Sequence, residues 1–130
     1  AWLADQLQSP EAIAARCTLV FMHRPLFPQN HHYGMNLPDA ANLHAMFAAA
    51  KVAAVFAGHE HSYSRIDRDG VSYIVTGGGG SPLYQGAGPD SAFFHYTRLA
   101  VLEESMRVDV IDLAGILRDQ FELPLKSSNG

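Results

Sequence analysis

Three histidines stand where they could bind metal: His23, His59 and His61. His59 and His61 lie in Gly58-His59-Glu60-His61, directly after the apolar run Val52 to Ala57. His23 closes a second apolar run, Cys17 to Met22, and is followed by Arg24-Pro25. Neutral imidazole is a good ligand for Zn²⁺, Fe and Mn²⁺. In an extended backbone, residues two apart project to the same side. His59 and His61 are therefore expected to reach one metal ion, or two ions ~3.5–4 Å apart, with Glu60 directed away.

The elements that must hold these residues can be read from the pattern around them. Cys17 to Met22 and Val52 to Ala57 are apolar at nearly every position, as in strands of a parallel sheet covered on both faces. Between them, residues 24–38 carry three prolines, Gly34 and two asparagines, a loop composition. Asp39 to Ala50 then reads as a helix on Leu43, Met46 and Phe47, with Asp39 as its N-cap and Lys51 near its C-terminal dipole. Strand, loop, helix, strand is a right-handed parallel crossover. In open α/β sheets the ligand site lies beyond the carboxyl ends of the strands, which is where both histidine elements fall.

The rest of the chain changes style. Trp2, Leu3 and Leu7 have helical spacing, and Ser9-Pro10-Glu11 starts a second short helix reaching Arg16. Asp69-Gly70 is a turn into the strand Val71 to Val75. Gly77 to Gly80 lacks the Gly-Lys-Ser/Thr of a phosphate loop and reads as a tight turn near the histidines. Residues 83–92 are loop. Phe94 to Leu102, Arg107 to Leu113 and Ile116 to Leu123 are three strands with short joints, an antiparallel meander. His44 reads as an ordinary helix residue, His95 as a packing residue and Arg65 as one half of a surface ion pair.

Composition bounds the alternatives. With 130 residues, 48% hydrophobic and 17% charged, the chain can build one core. A net charge of −4 without a basic cluster argues against nucleic acid as a partner. No apolar run approaches the ~18 residues of a membrane span. The single cysteine, Cys17, excludes an internal disulfide and Cys-rich zinc patterns.

The segments Phe21-Met22-His23-Arg24-Pro25, Gly58-His59-Glu60-His61-Ser62-Tyr63-Ser64-Arg65 and Tyr73-Ile74-Val75-Thr76-Gly77-Gly78-Gly79-Gly80 resemble the C-terminal half of calcineurin-like metallophosphoesterases, purple acid phosphatases above all. The resemblance implies part of a four-layer α/β/β/α sandwich, with a βαβ unit followed by the meander. It implies a dinuclear centre of Fe, Zn or Mn, with His23 and His59 on one metal and His61 on the other. Metal-bound hydroxide would attack the phosphorus of a phosphoester substrate, with His31 and His32 as possible substrate contacts. It also leans localisation toward an exported, periplasmic or extracellular protein.

The Asp-x-His, Gly-Asp and Gly-Asn-His elements that supply the family's carboxylate and asparagine ligands do not occur here. The expectation is that residues 1–130 are the C-terminal portion of a single metallophosphoesterase domain, inactive alone. Its partner would be a missing N-terminal half, a complementing chain or a second copy pairing along an open sheet edge. The alternative is a non-catalytic or truncated module that binds a metal or a partner through an incomplete site.

Overall fold

The computed structural model describes residues 1–30 and 37–127. His31 and His32 lie outside the described residues. Two short helices, α1 (Trp2–Leu7) and α2 (Pro10–Ala14), precede β1 (Leu19–Met22). The Ser9 hydroxyl caps α2 by accepting the Ala12 N–H, with Pro10 in the first turn. After β1 come α3 (Leu37–Ala49), β2 (Ala54–Ala57), β3 (Tyr63–Arg68) and β4 (Val71–Thr76). A turn of 3₁₀ helix, Gln85–Ala87, interrupts the stretch expected to be loop throughout. The chain closes with β5 (His95–Val101), β6 (Ser105–Asp112) and β7 (Leu117–Pro124).

Asp39 is not the cap of α3. The helix starts at Leu37, so Pro38 and Asp39 lie in its first turn. Proline is tolerated there because its missing N–H would have no helical partner. At the other end the Val52 N–H bonds the Phe47 carbonyl and the Lys51 N–H bonds the Ala48 carbonyl. This is a Schellman ending with Lys51 at φ 56°, a conformation usually left to glycine.

The strands form two sheets, ordered β1-β2-β4-β3 and β5-β6-β7. β1, β2 and β4 are parallel, and β3 returns antiparallel along β4 through the Asp69-Gly70 turn. The crossover from β1 through α3 to β2 is thus the expected βαβ unit, and the second sheet is the expected meander. All four residues of β2 are buried because both of its faces are covered. Ala54, Phe56 and Ile74 meet Val108, Val110 and Leu123 of the second sheet. Val55, Val71 and Tyr73 meet Ala40 and Phe47 of α3, with Leu3 and Leu7 of α1 alongside. Helix, sheet, sheet are the three layers that the described residues supply. Burying a side chain such as Phe47 or Ile74 contributes roughly 1.5–3 kcal/mol.

Candidate functional site

The carboxyl ends of β1, β2 and β4 converge, and each is followed by one of the three segments singled out by chemistry. Met22 pairs with Ala57, and the ladder runs one step further as the Gly58 N–H donates to the His23 carbonyl. His23 and the loop after β2 therefore leave the sheet side by side. His59 Nδ1 and His23 Nε2 lie 3.0 Å apart, with the rings nearly perpendicular. The two nitrogens are within hydrogen-bonding distance, and the tautomer decides which of them donates. Partial desolvation, with His23 and Arg24 close by, holds His59 below the usual histidine pKa.

The two histidines of Gly58-His59-Glu60-His61 do not project together as an extended backbone would require. The Glu60 N–H bonds the Gly58 carbonyl, closing a three-residue turn over His59, whose φ is +65°. An i→i+2 bond over a residue at positive φ marks the rare, strained form of γ-turn. A second i→i+2 bond, from the Ser62 N–H to the Glu60 carbonyl, closes over His61, which is not at positive φ. The rings accordingly part. His59 meets His23, while His61 donates Nδ1–H to the Pro82 carbonyl at 2.8 Å. Among the described residues no group of three or more His, Cys, Asp or Glu side chains stands ready to hold a metal ion.

Glu60 goes the other way. Its side chain is 2% exposed, and its two oxygens accept the backbone N–H groups of Gln29 and Asn30. The Asn30 amide in turn donates to the Ser62 hydroxyl. Gly77, after β4, closes from the third side. A methyl group there would sit 1.9 Å from the Glu60 carbonyl oxygen. Gly78 also packs closely on His95, whose Nδ1–H donates to the Phe93 carbonyl and whose Nε2 accepts from the Thr76 hydroxyl. At Gly77 and Gly78 a side chain would run into neighbouring backbone, so glycine is required there, whereas nothing lies within 4 Å of an added methyl at Gly79 or Gly80.

Arg65 pairs with Asp119 of β7, which also accepts from the Tyr63 hydroxyl. Burial and that bond push the Tyr63 pKa up. The group ties the end of the histidine loop to the meander, half-buried rather than on the open surface. His44 is more than a plain helix residue, bonding both the Tyr73 hydroxyl and Asp69 at 2.7 Å. Sequence reasoning did not find Pro82, because its contribution is a backbone carbonyl, nor Asp119, because nothing local connects it to Arg65.

No family model matches the chain. It is 31% identical over 90 residues to a phosphoenolpyruvate phosphatase of Allium cepa, covering 68% of this chain and 19% of that protein. Against the serine/threonine-protein phosphatase CPPED1 of Danio rerio it is 33% identical over 109 residues, covering 80% of this chain and 33% of the relative. The Fe(3+)-Zn(2+) purple acid phosphatase 12 of Arabidopsis thaliana is 29% identical over 90 residues, covering 68% and 19% respectively. The fold matches that of the purple acid phosphatase PPD1 from Lupinus luteus seeds, with TM-score 0.73 and 17% identity over 98% of this chain and 28% of that structure. The chain thus spans between 19% and 33% of the length of these sequence relatives. Its likeness in sequence is to purple acid phosphatases and a calcineurin-like phosphatase, and its fold matches part of the purple acid phosphatase fold.

Proposed function

We propose that this chain supplies the histidine half of a dinuclear metal centre in a phosphoester hydrolase. The observation that carries the reading is the meeting of His23 and His59 at adjacent parallel strand ends, in a chain whose sequence relatives are phosphatases. The donor set suits the group: two ring nitrogens 3.0 Å apart are spaced much as two ligand atoms on one ion are. In this reading His23 and His59 hold one metal and His61 the other, the ions being Fe, Zn or Mn. A relative named for Fe(3+) and Zn(2+) supports that class. When bound, the ions supply a hydroxide nucleophile and a clamp for the phosphoryl group.

The chain's own residues prepare this arrangement. The Nδ1–H of His61 is fixed by the Pro82 carbonyl, which leaves Nε2 as its ligating nitrogen. The depressed pKa of His59 favours the neutral ring that a metal requires. Three neutral imidazoles do not offset two cations, so carboxylate ligands must come from elsewhere. We therefore read residues 1–130 as the C-terminal portion of a single metallophosphoesterase domain, completed by an N-terminal half or a complementing chain. In this reading the substrate is a phosphoester, as for the phosphatases the chain resembles in sequence.

A second reading has an observation of its own: among the described residues no three candidate ligands stand together. It makes the chain a non-catalytic module binding one ion or a partner. Metal content per chain, with His59→Ala and hydrolysis of p-nitrophenyl phosphate alongside, separates these readings. The hydrolase reading expects one weakly held ion, lost in His59→Ala, no turnover by this chain alone, and turnover once a complementing portion is added. Absence of metal, or metal indifferent to His59, overturns it. Two ions with turnover would remove the half-centre claim and keep the chemistry. A histidine-bound ion that never supports turnover, even after complementation, leaves the module.

A further inference from the structure

We infer that Glu60 is a positioning residue, whose carboxylate sets the apposition of His23 and His59 by clasping the loop that carries His23. The inference rests on the proposed site only for its metal-binding consequence. The apposition itself is a property of the chain.

Glu60 immediately follows His59, and the strained turn over His59 sends the two side chains to different partners. One oxygen of Glu60 accepts the Gln29 N–H at 3.3 Å and the other the Asn30 N–H at 3.1 Å. These amides lie a few residues beyond His23, in a loop anchored between by buried Pro25 and Leu26. The Asn30 side chain adds a second stitch, to Ser62. Gly77 backs the Glu60 carbonyl, so the loop after β4 limits how far Glu60 can move. All three strand-end loops therefore meet at this one residue.

A carboxylate is a costly choice for a position this buried. An apolar side chain of similar size would fill the space but leave two amides without an acceptor. Carboxylate bonds to backbone N–H are charge-assisted, and two of them fix both distance and orientation. Groups that orient metal ligands without touching the metal typically shift affinity by about 10–100-fold when changed.

The experiment uses the whole chain, ¹⁵N-labelled, as the parent, Glu60→Gln and His59→Ala. Glu60→Gln keeps the shape and one acceptor, so it preserves the fold, which the unfolding midpoint checks. In Glu60→Gln the Gln29 and Asn30 amide protons are expected to move upfield and exchange roughly tenfold faster. The imidazole ¹⁵N signals of His23 and His59 are expected to change from a hydrogen-bonded pair to separate rings. His59→Ala leaves the two amides as in the parent. A Co²⁺ titration should show about 10–100-fold weaker binding in Glu60→Gln. Unchanged amides, or a His23–His59 pair that persists in Glu60→Gln, overturn the inference. A role confined to stability would lower the unfolding midpoint and leave the imidazole signals of the folded protein as they were. If the parent binds no Co²⁺, the metal reading fails. The positioning claim is then decided by the amide and imidazole signals, which need no metal.

Discussion

Replacing Gly77 with alanine tests whether the three strand ends really close on one another. The added methyl would lie 1.9 Å from the Glu60 carbonyl oxygen, 2.8 Å from its carbonyl carbon and 3.3 Å from the His61 Cα. A carbon and an oxygen in weak contact sit roughly 3.3 Å apart, so one backbone must retreat by about 1.4 Å. Neither is free to do so. The Gly77 N–H donates to the Ser62 carbonyl, and the His61 carbonyl accepts from the Tyr84 N–H. Overpacking against side chains costs about 1–3 kcal/mol, and each backbone bond lost adds about 1 kcal/mol. Gly77→Ala should therefore destabilise by about 3 kcal/mol or more, out of a total near 5–15 kcal/mol for a domain. Gly79→Ala is the control, since nothing lies within 4 Å of the added methyl, and it should stay within about 0.5 kcal/mol of the parent. Urea unfolding followed by circular dichroism reads both, the Gly77 midpoint falling by about 1–3 M. A Gly77→Ala protein as stable as the parent, or a Gly79→Ala protein as damaged, would refute the close packing of the three strand ends.

Other outcomes follow from the same geometry. Lys51→Gly should raise stability by about 0.5–1 kcal/mol, because glycine takes the left-handed end of α3 without strain, and thermal melting measures it. Burial holds the His95 pKa below its ordinary value. Its contribution to stability is therefore complete above the unfolded pKa, about 6.5, and is lost as pH falls from there toward the folded value. Urea midpoints at pH 7.5 and 5.5 should differ more in the parent than in His95→Gln, and equal differences would count against this role. Phe56→Ala, between the two sheets, should cost about 3–5 kcal/mol by urea unfolding. Asp119→Ala leaves the Arg65 guanidinium and the Tyr63 hydroxyl without their shared acceptor, so the Tyr63 pKa should fall toward its usual value in a spectrophotometric titration.

The parts legible in the sequence were those written in consecutive residues. Val52 to Ala57 is apolar throughout because β2 has helix on one face and sheet on the other. Asp69-Gly70 marks the hairpin because its φ values, +50° and +79°, suit few other pairs. The meander followed from its short joints. The parts that were hidden depend on distant partners. Arg65 finds Asp119 through the stacking of the two sheets, which no local pattern encodes. The turn over His59 forms against an expectation of extended backbone, because the bond from Glu60 to Gly58 and the anchoring of Glu60 on Gln29 and Asn30 outweigh the strain of a positive φ. His23 and His59 were expected near each other from topology alone. The separate course of His61 was not, since a carbonyl contributed by Pro82 leaves no mark in residue type.

The register of the first sheet bears on the order in which the molecule assembles. Leu19 pairs with Ala54 across the whole loop and α3, whereas β3 and β4, and the strands of the meander, pair through tight joints. Contacts close in sequence form early, and closing a long loop is entropically slower. The hairpins are thus expected to be in place before β1 docks on β2, and the histidine pair, which exists only after that docking, would be completed late. A variant that weakens the β1–β2 seam would retain most of its strand content and lose the paired histidines first.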